Sequence, residues 1–299
     1  MTAEHAPVVA IVVHYGDPAL TSCAVSSIVN GTSVPSEIIV VDNGPASYPD
    51  GAPGVRVLRP GTNVGFAAAV NMAIDSISGG YTPAYVWLFN NDASAESDAL
   101  ARLLATADRL PVHALVSSLV VDARTGAPWF VRAEFLPWRL ESRHVTGLPP
   151  SETDALLPSA PSWYSVPYLP ACSLLAPWPL LTSLNGLDPA FFVYGEDVDF
   201  SLRAMRLGYR LALSPRSRVV HATSSGTSEA ARMRMQAAAA LVLTWRLVPL
   251  LTWPALVGAV ITGSRRAVVR RARWPLTARL RGYLDTVRGR ARRERRTVS

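Results

Sequence analysis

The sequence predicts an α/β fold, in which a sheet of mostly parallel strands is flanked by helices. Short apolar runs alternate with helical segments from Val8 to His221, a pattern typical of strands joined by helical crossovers. Polar residues follow most of these runs, where the carboxyl ends of parallel strands would meet at one edge of the sheet. After Ser228 the pattern becomes helical and rich in arginine, which predicts an appendage of different character.

The individual elements follow from hydrophobic periodicity and from the residues that interrupt it. Apolar runs predict strands over 8–13, 37–41, 55–58, 85–89 and 115–121, and helices are predicted over 18–29 and 66–77. Many prolines, tryptophans and tyrosines break the pattern over 128–170. This insertion is either a substrate-binding lid or a long loop anchored by its aromatic residues. Beyond Ser173 the sequence predicts a helix over 199–207 and short strands over 210–214 and 218–220.

Positive charge is concentrated at the carboxyl terminus. The chain has 29 basic residues, all of them arginine, and a net charge of +7. Residues 265–299 contain 13 of these arginines and only two acidic residues, so this segment alone carries +11. Cys23 and Cys172 form no CxxC motif, which favours a reducing cytoplasmic compartment. The first residues lack the basic start of a secretory signal.

An uncharged stretch over 247–263 precedes the arginine-rich segment. Pro249 and Pro254 interrupt it, and its length is at the lower limit for a helix that crosses a bilayer. Because tryptophans and arginines lie on both sides, attachment to an anionic membrane surface through residues 245–299 is the preferred interpretation. An apolar helix packed on the domain, followed by a solvated tail, deserves comparable weight. No nucleic-acid-binding module is recognised.

Two polar motifs follow the second and third predicted strands. Asp42-Asn43 begins a turn, where the carboxylate either accepts hydrogen bonds from a nucleobase or ribose or caps its own backbone. Asn63-Val64-Gly65-Phe66-Ala67 opens a helix. Its amino terminus favours a phosphate, and Gly65 permits close backbone approach, although Asn63 can equally be only an N-cap.

Asn90-Asn91-Asp92 directly follows the fourth predicted strand. Two amides and a carboxylate form an oxygen-rich site suited to Mg²⁺ or Mn²⁺ shared with a diphosphate, although a polar turn before a helix has the same composition. His221 ends the last strand-like run. It is a candidate metal or phosphate contact, whereas a single histidine is more often structural.

Three carboxylates lie within Glu196-Asp197-Val198-Asp199, just ahead of a predicted helix. Asp199 can pair with Arg203 four residues later, and acidic residues suit a helix amino terminus, so one or two of them have a structural explanation. Crowding is expected to raise the pKa of at least one carboxylate, as a general base requires.

In this order, the motifs resemble family 2 glycosyltransferases with the GT-A fold and are close in pattern to bacterial rhamnosyltransferases. The resemblance covers roughly residues 7–225 and rests on 63–67 with Asn71, on 88–92, and on 192–200 with Arg203. It implies a Rossmann-like mixed sheet flanked by helices in a domain over 1–225. A helical, arginine-rich, membrane-associating extension would occupy 226–299.

The resemblance also implies roles for individual residues. Asp197, with Glu196, is the expected catalytic group, while Asp92 and His221 are the expected ligands of Mg²⁺ or Mn²⁺. Contacts to the sugar donor are expected from Tyr15, Asp42, Asn43, Asn63, Gly65, Phe66, Asn71, Asn90 and Asn91. Contacts to the acceptor are expected from Trp163, Tyr164, Cys172 and Asp199. Asn90 stands where this family usually has the first acid of an Asp-x-Asp element, which leaves one carboxylate there.

The implied reaction is transfer with inversion from a nucleotide-diphosphate sugar, with L-rhamnose from dTDP-rhamnose as the first candidate. The implied acceptor is a lipid-linked cell-envelope glycan at the inner face of the cell membrane. Two alternatives remain: a GT-A transferase with another nucleotide sugar and a soluble acceptor, and a non-catalytic, membrane-associated glycan-binding protein. A dinucleotide-dependent oxidoreductase is disfavoured, because no Gly-x-Gly-x-x-Gly follows the first strand.

Overall fold

The computed structural model describes residues 7–50, 53–77, 82–110, 113–130, 132–145, 162–222, 228–269 and 277–286. These residues divide into two compact units. Unit 1 comprises the described residues within 1–133, 144–190 and 197–225, and unit 2 those within 134–143, 191–196 and 226–299. Residues 146–161 of the predicted insertion and most of the arginine-rich tail lie outside the described residues.

The secondary structure follows the chain in this order. The strands are β1 (Val8–His14), β2 (Glu37–Asp42), β3 (Val55–Leu58), β4 (Tyr85–Asn90), β5 (Ala93–Ala95), β6 (Ala114–Asp122), β7 (Pro128–Phe130), β8 (Arg132–Leu136), β9 (Glu141–Val145), β10 (Tyr164–Ser165), β11 (Ser173–Pro177) and β12 (Arg210–His221). The helices are α1 (Pro18–Val29), α2 (Phe66–Ser76), α3 (Ala99–Arg109), α4 (Trp178–Ser183), α5 (Glu196–Arg206), α6 (Glu229–Leu247), α7 (Thr252–Val269) and α8 (residues 277–286). Short 3₁₀ turns cover Pro137–Arg139 and Pro249–Leu251.

A mixed sheet forms the centre of unit 1, with strand order β10-β12-β6-β11-β4-β1-β2-β3. Strands β1, β2, β3 and β4 run parallel to their neighbours in this group, and β12 runs parallel to β6. Strand β11 lies antiparallel between β4 and β6. The mixed sheet flanked by helices confirms the predicted fold class. Because β11 runs antiparallel to both β4 and β6, those two strands run in the same direction. The same edge of the sheet therefore contains the ends of β1, β2, β4, β6 and β12, and we call it the carboxyl edge.

The central strands are mostly apolar and buried, as in sheets that helices cover. All seven residues of β1 are buried. Helix α2 packs on β1 and β2, and α3 packs on β6 and β12. Asp42, Asn90 and His221 are the last residues of β2, β4 and β12, so these polar side chains lie at the carboxyl edge.

Strand β12 is one irregular strand, where the sequence predicted two short strands. Its register against β6 shifts between Ser214 and Arg218, which places extra residues in β12. The Ser217 hydroxyl lies 2.8 Å from the Ser118 hydroxyl and donates to the carbonyl of Ala99 at 2.8 Å. These bonds supply hydrogen-bond partners for the buried hydroxyl group of the irregular segment. The last residues of β12 then pair with β6 again.

Helix α5 begins at Glu196, three residues earlier than predicted. Tyr194 and Gly195 precede it with φ values of 68° and 85°, a left-handed turn that a tyrosine adopts rarely. The three carboxylates of the motif therefore lie within the first turn of the helix, and not in front of it.

Unit 2 is helical and has its own apolar cluster. Leu140, Ala237, Leu241, Ala255 and Tyr283 are buried in it, so the cluster joins the turn after β8 to helices α6, α7 and α8. The stretch over 247–263 is divided between the end of α6, a 3₁₀ turn and α7. Among the described residues, no helix combines the length and apolar character needed to cross a membrane.

Close packing of α8 on α6 predicts that alanine substitutions at two glycines change the stability of the protein in opposite directions. A Cβ added at Gly282 would collide with the backbone carbonyl of Arg234, so Gly282→Ala should destabilise the protein by about 1–3 kcal/mol. Gly258 lies in α7 with nothing within 4 Å of an added Cβ, so Gly258→Ala should stabilise by about 0.5–1 kcal/mol. Thermal unfolding of both variants measures this, and equal midpoints would contradict the packing of α8.

Candidate active site

Asp92 and His221 meet at the carboxyl edge of the sheet. The Nε2 atom of His221 lies 3.0 Å from Oδ1 of Asp92, although the two residues are 129 positions apart in the chain. Strand β5 brings them together, because Ala93 pairs with His221 and the Ala222 N–H donates to the Asp92 carbonyl at 2.9 Å. The backbone on both sides thus fixes the distance between the two side chains.

The surroundings of His221 leave one of its nitrogens available. The side-chain amide of Asn90 lies 3.4 Å from Nε2, and the Trp129 ring packs edge-on at 5.1 Å. The Nδ1 atom is buried, and none of the residues that the structure describes forms a hydrogen bond with it. Nε2 is the nitrogen that faces Asp92, so a cation shared with Asp92 would bind there and not at Nδ1.

The donor set around His221 fits a divalent cation that also binds a ligand. One carboxylate and one imidazole converge on the same point, and the Asn90 side chain lies beside them through its amide nitrogen. Within the described ranges, no cluster of three or more histidine, cysteine or acidic residues could enclose a metal ion. A cation held by so few protein groups keeps open positions, as Mg²⁺ and Mn²⁺ do when they bridge protein and phosphate. Asp92 and His221 therefore suit the role predicted for them.

Asp42 is the last residue of β2, and only one of its two carboxylate oxygens accepts a hydrogen bond from the described residues. Its Oδ2 accepts the Tyr48 N–H at 3.2 Å and lies 3.5 Å from Nε of Arg59. Its Oδ1 is buried and has no hydrogen-bond donor among the described residues; Nε2 of His14 is 4.0 Å away. An open, buried acceptor of this kind is suited to an N–H or hydroxyl group of a ligand.

Asn43 and Asn63 connect β2 to the start of α2. The Asn43 side chain donates to Oδ1 of Asn63 at 3.1 Å and accepts the Val64 N–H at 2.8 Å. Asn63 also accepts the Gly65 N–H at 3.0 Å. Gly65 is the N-cap of α2, with a φ of 88°, so no side chain caps the helix there. Phe66 begins the helix, whose first N–H groups point out of its amino terminus and suit an anion.

A hydrogen-bonded chain that sequence analysis missed runs from Asn91 to the end of β1. The carbonyl of Ala46 can only accept, so the 2.6 Å contact with Nε2 of His14 places the ring proton on that nitrogen. Nδ1 of His14 then accepts from the Thr21 hydroxyl at 2.6 Å. The Asn91 amide donates to Thr21 at 3.2 Å and to the carbonyl of Tyr15 at 2.9 Å. The position of His14 at a strand end was the one available signal.

Asp197 lies in the first turn of α5 and is partly buried. Burial raises its pKa to about 6, although the Val198 and Ala171 N–H groups, which donate to the carboxylate, lower it. Desolvation, and not the crowding of carboxylates, is thus the main cause of the shift. Ala171 precedes Cys172, whose carbonyl accepts the Asn90 N–H at 3.0 Å. Two backbone contacts therefore connect Asp197 to the strand that leads to Asp92.

Cys172 is buried within this connection. Burial and the nearby Asp92 carboxylate both raise the pKa of its thiol. A raised pKa keeps the thiol protonated at neutral pH, so it is a poor nucleophile and metal ligand. Cys172 thus lies near Asp92, and a protonated, buried thiol is suited to packing.

Asp199 and Asn71 hold the loop that precedes helix α5. Asp199 accepts from Nε of Arg203 at 2.7 Å, and Arg203 donates to the carbonyls of Leu184 and Gly186 at 3.1 and 3.2 Å. The Asn71 amide bonds both the N–H and the carbonyl of Leu187, at 2.9 and 2.7 Å. These contacts hold the loop before α5, and the contacts of Asp199 with the acceptor and of Asn71 with the sugar donor stay predictions.

Trp163 and Tyr164 lie away from the carboxyl edge. Tyr164 pairs with Leu213 of β12, and Trp163 packs 5.9 Å from the Arg210 guanidinium. Leu213 is level with Ser117 of β6, whereas His221 is level with Asp122. Five strand residues span about 17 Å. The two predicted acceptor aromatics are therefore remote from His221 along the strand.

Glu196 and Tyr15 complete the set of predicted site residues. Glu196 is the first residue of α5 and is buried. Tyr15 follows β1 and exposes 41% of its surface, while its carbonyl accepts from Asn91. Tyr15 is thus a ring at the carboxyl edge that a flat ligand can reach.

Two family models match the sequence. Glycosyl transferase family 2 matches residues 9–154, and Glycosyl transferase family group 2 matches residues 163–283. Together they cover most of the chain, which therefore belongs to the family 2 glycosyltransferases. This confirms the predicted family, while the narrower resemblance to rhamnosyltransferases stays a prediction. The second match continues beyond residue 225 into the helices of unit 2.

Solved glycosyltransferases share the fold. The crystal structure of GalNAc-T7 with UDP, GalNAc and Mn²⁺ matches with a TM-score of 0.60 and 15% identity, over 79% of this chain and 48% of that one. Mannosyltransferase PcManGT from Pyrobaculum calidifontis, with GDP-Man and Mn²⁺, matches with a TM-score of 0.56 and 17% identity, over 95% and 88%. This chain spans about half the length of GalNAc-T7. No curated protein matches the sequence.

The raised pKa of Asp197 predicts how Asp197→Asn changes stability with pH. The folded protein takes up this proton near pH 6 and the unfolded chain near 3.8, so the folded state binds more protons between these values. The stability of the wild type should therefore fall as pH rises through this window, relative to Asp197→Asn. Urea unfolding of both proteins at several pH values measures the difference, and a difference independent of pH would contradict the shifted pKa.

Proposed function

We propose that this chain transfers a sugar, with inversion, from a nucleotide-diphosphate donor to a hydroxyl group of a glycan acceptor. The observation that carries the proposal is the Asp92–His221 contact at 3.0 Å, on the same sheet edge as the open carboxylate oxygen of Asp42. Asp197 is joined to this edge through Ala171 and Cys172. A nucleoside site, a phosphate site and a base thus lie along one edge.

The nucleotide would bind across the ends of β1, β2 and β4. The buried Oδ1 of Asp42 would accept from the base or ribose, with the exposed ring of Tyr15 beside it. The diphosphate would lie towards Asp92 and His221. This order follows the strand order β2-β1-β4 and needs no movement of the sheet.

Asp92 and His221 would hold a divalent cation, with Asn90 beside them. Such a cation stabilises the negative charge that grows on the departing diphosphate. The imidazole favours Mn²⁺ over Mg²⁺, since nitrogen ligands suit transition metals better than Mg²⁺. GalNAc-T7 and PcManGT were both solved with Mn²⁺ and a nucleotide or nucleotide sugar, which supports the same choice here.

Asp197 would act as the general base. Its carboxylate would remove the proton of the acceptor hydroxyl as that oxygen attacks the anomeric carbon, and the bond to the diphosphate oxygen would break on the opposite side. A pKa of about 6 leaves Asp197 ionised at neutral pH and still basic enough to accept a proton. Attack from the side opposite the leaving group inverts the anomeric centre.

The finer proposal is transfer of L-rhamnose from dTDP-rhamnose to a lipid-linked cell-envelope glycan at the cytoplasmic face of the membrane. The pattern of the Asn90-Asn91-Asp92 and Glu196 to Phe200 motifs supports the sugar, and the arginine-rich carboxyl terminus supports the acceptor. Another nucleotide sugar with a soluble acceptor is the alternative within the same reaction class. Dependence of turnover on a lipid-linked acceptor separates the two.

The proposal predicts metal-dependent turnover of one nucleotide sugar. Slow hydrolysis across a panel that includes dTDP-rhamnose, UDP-sugars and GDP-mannose should single out one donor and should require Mn²⁺ or Mg²⁺. Asp92→Asn should weaken cation-dependent binding of that donor at least about ten-fold, since it removes one of few ligands. Calorimetry with and without Mn²⁺ measures this binding.

Asp108→Asn is the matched control for that experiment. Asp108 is an exposed carboxylate near Tyr85, at the opposite end of β4, so its loss should leave binding unchanged. If no donor binds the wild type with or without a cation, the chain is a non-catalytic glycan-binding protein and the proposal fails.

Loss of the base predicts a separate effect. Asp197→Asn should reduce transfer by about 10²–10⁴-fold while the affinity for the sugar donor stays within two-fold or so of the wild type. In the wild type, kcat/KM should rise with pH and level off above about pH 6, where Asp197 is ionised. Wild-type turnover in the variant would show that another group takes the proton.

A further inference from the structure

An exposed row of apolar side chains runs along α7 in unit 2. Trp253, Val257 and Ile261, each four residues apart, expose 62%, 57% and 50% of their surface. Leu250, in the 3₁₀ turn before the helix, exposes 93%. We call these four residues the outer row. Apolar side chains that repeat every four residues share one face of a helix, so the outer row is a continuous apolar strip.

The opposite face of α7 is already packed. Ala255 is buried, and Leu256 and Ala259 pack against the apolar cluster that contains Leu241 and Tyr283. The outer row is therefore not the core-facing side of an ordinary surface helix. Large apolar side chains on the remaining face of such a helix mark a surface that binds another apolar body.

Positive charge flanks the outer row. The next position in the same spacing is Arg265, followed by Arg266, and α7 contains no acidic residue. Residues 265–299 carry a net charge of +11. Trp253 lies near one end of the row and arginines follow the other, the arrangement found where helices lie at the level of lipid head groups.

We infer that the outer row enters the interfacial layer of an anionic bilayer, with α7 lying along the membrane surface. Leu250, Trp253, Val257 and Ile261 would be buried among the acyl chains, and the arginines after Ile261 would meet lipid phosphates. No described helix has the length and apolar character to cross the bilayer, which is consistent with a helix that lies on it. This surface would hold the protein against a membrane that contains the lipid-linked acceptor of the proposed function. Only this last step of the inference rests on the proposed function.

Two other occupants fit the row less well. Nucleic acid would satisfy the arginines, but it offers polar phosphates to side chains as apolar as Leu250 and Trp253. A second copy of the chain would cover the apolar row but would bring two segments of strong positive charge together. An anionic bilayer satisfies both the apolar and the basic parts of the surface.

Flotation of the full chain with vesicles tests the inference. One vesicle set is phosphatidylcholine, and the other contains equal parts of phosphatidylcholine and phosphatidylglycerol. The wild type should float with the anionic vesicles and less so at high salt. Val257→Glu/Ile261→Glu should bind them at least about ten-fold more weakly, since it replaces two inserting side chains by charged ones. The arginine-rich tail is unchanged in this variant.

Val34→Glu/Leu207→Glu is the matched control. These two residues expose 56% and 52% of their surface but lie in unit 1, so the control makes the same chemical change elsewhere. It should float as the wild type does. A native circular dichroism spectrum and unchanged hydrolysis of the sugar donor show that each variant is folded.

Three results would overturn the inference. The first is wild-type flotation of Val257→Glu/Ile261→Glu, and the second is absence of wild-type binding to either vesicle set. The third is a lipid-free dimer that dissociates in Val257→Glu/Ile261→Glu, which would assign the outer row to a second copy. If the protein binds vesicles as expected but binds no nucleotide sugar, the inference is supported and the proposed function is refuted.

Discussion

The contact between Asp92 and His221 depends on the order of strands in the sheet, and the rest of the site is arranged around it. The two residues are 129 positions apart and come within 3.0 Å only because β12 runs parallel to β6 and β5 closes on its end. The antiparallel strand β11 maintains the direction of β6 relative to β4. The strands that end in polar motifs thus end at the same edge, which is where the nucleotide and the cation of the proposed function would bind.

The partners of each side chain then differentiate carboxylates that look alike in the sequence. Asp199 is neutralised by Arg203, Asp42 keeps one oxygen engaged by Tyr48, and Asp92 faces His221. Asp197 has backbone N–H partners but no described cation beside its carboxylate, so desolvation raises its pKa to about 6. A raised pKa suits a carboxylate to accept a proton, which is the role proposed for Asp197.

Sequence reasoning located what lies at strand ends and missed what depends on packing. The strands and the polar residues after them follow from apolar runs and their breaks, so Asp42, Asp92 and His221 could be identified together. The bonds between Asn71 and Leu187, or between His14 and Thr21, join loops whose approach no periodicity encodes. Tyr164 was expected to contact the acceptor, but its pairing with Leu213 places it far from His221 along the strand.

Pulsed electron paramagnetic resonance of bound Mn²⁺ identifies the ligands of the proposed cation site. With a nucleoside diphosphate present, we expect a nitrogen coupling from one imidazole, which changes when histidine is labelled with nitrogen-15 and disappears in His221→Gln. Phosphorus couplings from the diphosphate should accompany it. Mn²⁺ bound with the diphosphate but without any histidine coupling would contradict the assignment of Asp92 and His221 as the cation site.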